Sequence, residues 1–268
     1  MSRSKDRRDV YYRLAKEQNY RARSAFKLIQ IDETYSILNN VTRAVDLCAA
    51  PGSFSQVLAS RIPSSLDRRI VSVDLNEMAP IDGVTLLQGD ITSRSTALKT
   101  IELLNGQADL VVSDGAPDVS GLEILDQYLQ STLVSSALDI ATAVLRHGGN
   151  FVAKIFRAFV CPITLLSHLM QLFENVHIVK PRSSRNSSLE AFVVCLNYRP
   201  PADYVSPLLR DEESISRFSE ETKKLLPLLS CGDLSSYDSD MSYQLNSNDV
   251  LPAVQPPINC PYSDVIAK

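Results

Sequence analysis

The stretch AVDLCAAPGSFSQVLA, residues 44–59, changes texture half-way along. AVDLC is a short, largely apolar run of strand type; SFSQVLA repeats its apolar positions at helical spacing; Pro51-Gly52 stands between them. A strand that passes through a tight glycine turn straight into a helix is the opening unit of a parallel α/β sheet. Glycine at such a turn lets the backbone approach a ligand closely. A dinucleotide's pyrophosphate calls for the fuller GxGxxG loop, and here Gly52 stands alone. Taken by itself, the turn reads equally well as a structural one.

Working outward, the same alternation continues. RIVSVDL (69–75), VTLLQ (84–88), DLVVSD (109–114), NFVAKIF (150–156), VHIVK (176–180) and AFVVCLN (191–197) are runs typical of strands buried on both faces of a sheet. Helical stretches lie between them at 53–61, 93–105, 122–147 (stopped by Gly148-Gly149) and 162–173, which starts with Pro162. Two more helices are expected before the first strand, at 9–18 and 24–37, the second with Ser24 as N-cap. The expected fold is therefore α/β, a doubly wound and mostly parallel sheet. Only the loop PRSSRNSSLE separates the last two strands, which predicts that they pair antiparallel. Residues 1–200 are expected to form this domain. Residues 201–268 hold seven of the 14 prolines and read as an irregular tail rich in Pro, Ser and Asp.

Charge is unevenly placed. The formal net charge is -4, yet residues 1–27 hold nine Lys and Arg against three acids. A basic head on an acidic body suggests a local landing site for a polyanion and argues against a protein that coats nucleic acid all over. Five cysteines without CxxC or Cys/His spacing predict a reduced, intracellular chain with no metal site. No apolar run approaches the roughly 18 residues that span a bilayer, and MSRSKDRRDVYYR lacks a targeting signal's apolar stretch. Cytoplasm, with no membrane partner, is the expectation.

Two acids reinforce the Gly52 turn. Asp74 ends the second strand, where an acid commonly bonds ribose hydroxyls, and Asp90-Ile91 ends the third. Either acid alone reads equally as a helix N-cap. Together with Gly52 they fall at successive carboxyl strand ends, the edge where open α/β sheets bind ligands. Four further charges sit where a buried sheet does not ordinarily hold them: Lys27, Asp114, Lys154 and Glu190. Lys154 stands out because Val152, Ala153, Ile155 and Phe156 are apolar on both faces of its strand, so its ammonium requires an acid partner or a lowered pKa.

In order and local context, Lys27, Asp114, Lys154 and Glu190 match the Lys-Asp-Lys-Glu tetrad of FtsJ/RrmJ-type RNA 2′-O-methyltransferases, and the chain resembles that family over roughly residues 5–200. RSAFKL, DLCAAPGS, SVDL, SDGAPDVSG, FVAKIFR and PRSSRNSSLEAF carry the likeness. The resemblance implies S-adenosyl-L-methionine as cofactor, contacted by Gly52, Ser53, Phe54, Asp74, Asp90, Ile91 and Asp114. It implies Lys154 as proton acceptor, with Lys27, Asp114 and Glu190 completing the catalytic set. A second lysine nearby would favour the neutral amine that a weakly acidic ribose hydroxyl needs as base.

The head KDRRDVYYRLAKEQNYRARSAFKL looks most like the eukaryotic cytoplasmic tRNA branch. Members of that branch methylate anticodon-loop riboses, at the first nucleotide and the wobble nucleotide, and work with an adaptor subunit that selects the site. Arg7, Arg8, Arg21 and Arg23 are the candidate phosphate contacts. Tyr11 and Tyr12 read either as base-stacking residues or as the core face of a helix. Two departures are visible: Phe54 replaces a Trp, and FRAFVCPITLL (156–166) replaces a string closer to FRGRD. An rRNA or cap 2′-O-methyltransferase, and a non-catalytic RNA-binding relative, are the alternatives.

Overall fold

The computed structural model describes residues 10–65, 67–116, 123–156, 162–185 and 188–209. The chain divides into one unit of residues 1–226 and another of 227–268, the second lying outside the described residues.

Seven strands form one sheet: β1 (Arg43–Leu47), β2 (Arg69–Asp74), β3 (Thr85–Gln88), β4 (Ala108–Ser113), β5 (Leu145–Phe156), β6 (Phe173–Val179) and β7 (Glu190–Tyr198). Their spatial order is β3-β2-β1-β4-β5-β7-β6. β1 to β5 pair in parallel, while β7 lies between β5 and β6 and is antiparallel to both. Among the described residues, six α-helices flank it: α1 (Val10–Glu17), α2 (Ala25–Tyr35), α3 (Ser53–Arg61), α4 (Arg94–Leu104), α5 (Glu123–Val144) and α6 (Pro162–Leu172). The expected doubly wound sheet with an antiparallel last pair is the observed one.

Period-two alternation splits the core into two layers. Val45, Leu47, Val71, Val73, Phe151 and Ala153 pack with residues of α4, α5 and α6 on one face. Ala44, Ile70, Leu110, Val112, Val152 and Phe192 pack with α2 and α3 on the other. Each fully buried Phe, Leu or Ile in these layers contributes roughly 1.5–3 kcal/mol relative to exposure. The edge strands differ from expectation: β3 is exposed or half-buried throughout and β6 is largely so, because each has one neighbour and incomplete helix cover.

Two boundaries also move. α5 ends at Val144, and β5 begins at once, so Gly148-Gly149 lies inside the strand and does not stop the helix. The pairing of β4 with β5 shifts register between Ala108 and Leu110. Gly148 has φ +80°, and a Cβ on Gly149 would stand 3.2 Å from the Asp109 carbonyl, so the glycine pair lets the chain settle against β4. Arg146 seals this corner by donating to Asp109 at 2.6 Å. Burial opposes ionisation of Asp109, yet Arg146 and donors from Arg43 and Thr42 hold its carboxyl below the usual range. Residues 201–209 continue the packing: Ser206 donates to the Asp139 carbonyl and Leu208 touches the core. Among the described residues, no helix is long and apolar enough to cross a membrane.

Candidate active site

The strand order reverses between β1 and β4, which opens a crevice beyond their carboxyl ends. Gly52 follows β1 and Asp114 follows β4, so the two lie on either side of it.

The four charges converge there. Lys154 pairs with Phe192, and Phe156 with Glu190, so all four side chains stand on the sheet face that α2 covers. Lys27 comes from the first turn of α2. Asp114 Oδ1 lies 3.3 Å from Lys27 Nζ and 3.1 Å from Lys154 Nζ, bridging the two ammonium groups. Lys154 Nζ also donates to the Asp114 carbonyl at 2.7 Å, and Lys27 Nζ donates to Glu190 Oε2 at 2.8 Å. Ser184 holds the other Glu190 oxygen at 2.6 Å. The Phe192 ring lies 5.6 Å from Lys27 Nζ, within cation–π range. Both lysines are buried, and two acids balance them, as the cost of burying charge requires. Burial opposes ionisation of Glu190, but the charge and hydrogen bond of Lys27, the Ser184 hydroxyl and the charge of Lys154 hold its carboxyl below the usual range. A cleft of about 410 Å³ opens beside Lys27, lined among others by Arg23, Ser24, Ser184, Arg185 and Glu190. A second cavity, about 490 Å³, lies between Tyr11, Gln30, Tyr35 and Arg182, away from the four charges.

On the cofactor side the structure divides the expected residues. Gly52 has φ +103° and precedes α3 as its cap residue. Asp74 Oδ2 accepts the Ala50 N–H at 2.8 Å, and Oδ1 accepts both donors of Asn76. An ionised carboxylate offers about four lone-pair positions, so Asp74 keeps one for a ligand hydroxyl. Asp90 is exposed, and its Oδ1 accepts the Thr92 N–H at 2.8 Å, which leaves Oδ2 without a hydrogen bond among the described residues. Phe54 departs from expectation. Its side chain is 2% exposed and packs in the core, 6.4 Å from the Phe192 ring, and so forms no wall to the crevice. Ile91 is likewise a core residue, packed with Val73 and Ala97. The Ser53 hydroxyl meets Ser24 Oγ at 2.5 Å. Ser24 accordingly does not cap α2: it has helical dihedrals and makes no cap bond.

Within the basic head, Arg21 is used differently from expectation. The Arg21 guanidinium, expected on phosphate, is engaged by three backbone carbonyls. Arg23 donates to the Ser183 carbonyl and lines the 410 Å³ cleft. Arg7 and Arg8 lie outside the described residues, as do Ala158-Phe159-Val160 and the chain after residue 209. Tyr11 packs on Phe26 at 5.5 Å and accepts from Gln30, a core-facing role.

Three residues were missed. Asp46, in β1, is fully buried beneath the turn and accepts from Ser55 Oγ at 2.5 Å, while Oδ1 has no hydrogen-bond partner among the described residues. Burial is the main cause that raises its pKa to about 7, assisted by the charges of Asp114 and Asp74. An acid inside the apolar run AVDLC was the available signal, the same one that marked Lys154. Gln130 on α5 donates to the carbonyls of Gly115 (3.1 Å) and Lys154 (2.9 Å), holding the two strand ends together. Ser184, which orients Glu190, had no signal beyond its place in a serine-rich loop.

The FtsJ-like methyltransferase model matches residues 20–198, which include all four charges and the Gly52 turn. The chain belongs to the FtsJ-like methyltransferase family. Among curated members of that family, it is 52% identical to the human tRNA (cytidine(32)/guanosine(34)-2'-O)-methyltransferase, over 97% of this chain and 83% of the relative. The Schizosaccharomyces pombe protein of the same name is 46% identical, over 98% and 95%. The Drosophila melanogaster tRNA (guanosine(34)-2'-O)-methyltransferase is 46% identical, over 99% and 87%. A crystal structure from Plasmodium falciparum, described as a ribosomal RNA methyltransferase, superposes with TM-score 0.57 at 28% identity. It covers 68% of this chain and 100% of that one.

Proposed function

We propose that this FtsJ-like methyltransferase methylates the ribose 2′-hydroxyl of anticodon-loop nucleotides 32 and 34 of tRNA, the positions named for its relatives. The observation that carries the chemistry is one carboxylate, Asp114, within 3.3 Å of two buried lysines at the open end of the sheet.

The crevice fits S-adenosyl-L-methionine. Beside the Gly52 turn, Asp74 retains a lone pair for a ribose hydroxyl. Asp90 Oδ2 is available to an adenine amino group. When bound, the cofactor supplies an electrophilic methyl on a sulfonium. Gly52, Asp74, Asp90 and Asp114 would hold it, together with the backbone of Ser53 and Phe54.

Lys154 takes the proton of the ribose hydroxyl. In the neutral amine that a base requires, both N–H groups would stay on the two Asp114 oxygens near Nζ, which leaves the lone pair to accept the proton of the substrate hydroxyl. Lys27 orients that hydroxyl from the cleft side. Asp114 and Glu190 hold the two amines in place and limit their repulsion, and Ser184 fixes Glu190. Most of the rate then comes from alignment, with reacting atoms held near contact distance.

A ribose is present in every nucleotide, so this cluster does not select among them. The reading therefore includes a separate adaptor subunit that presents the correct nucleotide, with Arg7, Arg8 and Arg23 supplying phosphate contacts. It places the enzyme in the cytoplasm, consistent with the free thiols of Cys48 and Cys195. The test is methyl transfer to unmodified tRNA by purified protein with its co-purifying subunit. Lys154→Ala should fold, bind S-adenosylhomocysteine and lose at least about a hundred-fold in rate, the usual scale of general-base loss. Near-normal turnover would refute the role given to Lys154.

A further inference from the structure

Arg21 lies between α1 and α2, in the basic head, yet its half-buried side chain is engaged by the protein's own backbone. Nη1 donates to the carbonyls of Pro51 (3.0 Å) and Ala79 (2.8 Å), and Nη2 donates to that of Pro80 (2.8 Å). Its backbone N–H donates to Gln56 Oε1 at 2.8 Å, and Gln56 Nε2 donates back to the Asn19 carbonyl at 3.0 Å. One guanidinium therefore joins two loops that are distant in sequence: the turn after β1 and the loop 75–84 that follows Asp74. The fit is close. A Cβ on Gly52 would lie 2.9 Å from Arg21 Nη1 and 2.8 Å from Ile81 Cδ1. Carbonyl oxygens repel one another, and gathering three of them needs a positive group with several donors at fixed angles. Arginine supplies that fork; lysine supplies a single mobile ammonium.

We infer that Arg21 is a positioning residue for the cofactor: it holds loop 75–84 against the Gly52 turn and so sets the width of the crevice that Asp74 borders. The inference rests on the reading of that crevice as the S-adenosyl-L-methionine site. It assigns Arg21 a role opposite to phosphate gripping, since all three of these bonds stay within the protein.

The experiment is calorimetric titration of the purified full chain with S-adenosylhomocysteine, with hydrogen exchange followed at residues 75–84 and tRNA affinity measured separately. Arg21→Ala should weaken S-adenosylhomocysteine about ten-fold or more, the scale set by loss of charged hydrogen bonds. It should also speed exchange in 75–84 and leave tRNA affinity within about two-fold. Arg21→Lys should fall between, since one ammonium reaches fewer carbonyls; it also serves if the alanine variant does not fold. Unchanged S-adenosylhomocysteine affinity in both variants would overturn the inference, as would loss of tRNA affinity alone, which would make Arg21 an RNA contact. Wild-type protein that does not bind S-adenosylhomocysteine would overturn the cofactor reading and this inference together.

Discussion

Replacing Asp114 by Asn keeps the shape of the bridge between the lysines and removes its charge. Lys27 Nζ and Lys154 Nζ lie 3.3 and 3.1 Å from the same oxygen, so they stand at most 6.4 Å apart. Two ammonium groups at that distance repel by about 3 kcal/mol at an effective dielectric near 20. Asp114 offsets this with two attractions of roughly 5 kcal/mol each on the same scale. In the variant, Glu190 remains as the acid of the cluster, and of the two lysines it pairs with Lys27. Water at the cleft screens part of the imbalance, so the expected net loss is about 1–3 kcal/mol of folding stability. The amide also accepts poorly from two donors, so both amines lose their alignment. Equilibrium urea unfolding reads the first effect and single-turnover methyl transfer the second, where a fall of a hundred-fold or more is expected. An Asp114→Asn protein with wild-type stability and wild-type turnover would refute the electrostatic reasoning for the cluster.

Further outcomes follow from the same geometry. Asp46 has a folded pKa raised from 3.8 to about 7, so the native state binds the extra proton between those values and stability falls as pH rises through that window. Asp46→Asn should remove that slope, up to about 1.4 kcal/mol per pH unit, in unfolding measured from pH 4 to 8; an unaltered slope would contradict it. Glu190 has a lowered folded pKa, so its contribution is complete above its ordinary value of 4.5 and is lost as pH falls through the folded value. Glu190→Gln should therefore lose stability at pH 7 and converge with wild type under acid, in denaturant titrations at the two pH values. Gly52→Ala places a methyl 2.8 Å from Ile81 Cδ1 at φ +103°, so it should cost about 1–3 kcal/mol. It should also abolish detectable S-adenosylhomocysteine binding by calorimetry, and a variant that binds normally would show that the turn is not the cofactor's seat.

The strands and the four charges were legible because both signals are local. A run such as NFVAKIF states its burial by its composition, and Lys154 within it announces that an acid must come from elsewhere. The pairing partners were readable through family likeness and strand order. Burial of the side chains beside Gly52 and Asp90 was not legible: Phe54 and Ile91 sit close in sequence to positions proposed for the cofactor, and only the packing against Phe192 or Val73 decides which way they point. Gly148-Gly149 looked like a helix stop because glycine at a helix end and glycine pressed on a neighbouring strand look alike in sequence. The same limit hid Arg21. Its position among Lys and Arg suggested phosphate, whereas its partners, Pro51, Ala79 and Pro80, are backbone carbonyls that no side-chain pattern reveals.

The most direct test of the account is nucleotide-resolution mapping of ribose methylation on total RNA from cells that lack this protein, re-supplied with wild type or Lys154→Ala. The account predicts loss of 2′-O-methylation at tRNA nucleotides 32 and 34, restored by wild type and not by the variant. Intact methylation at both positions, or loss confined to rRNA or the mRNA cap, would contradict it.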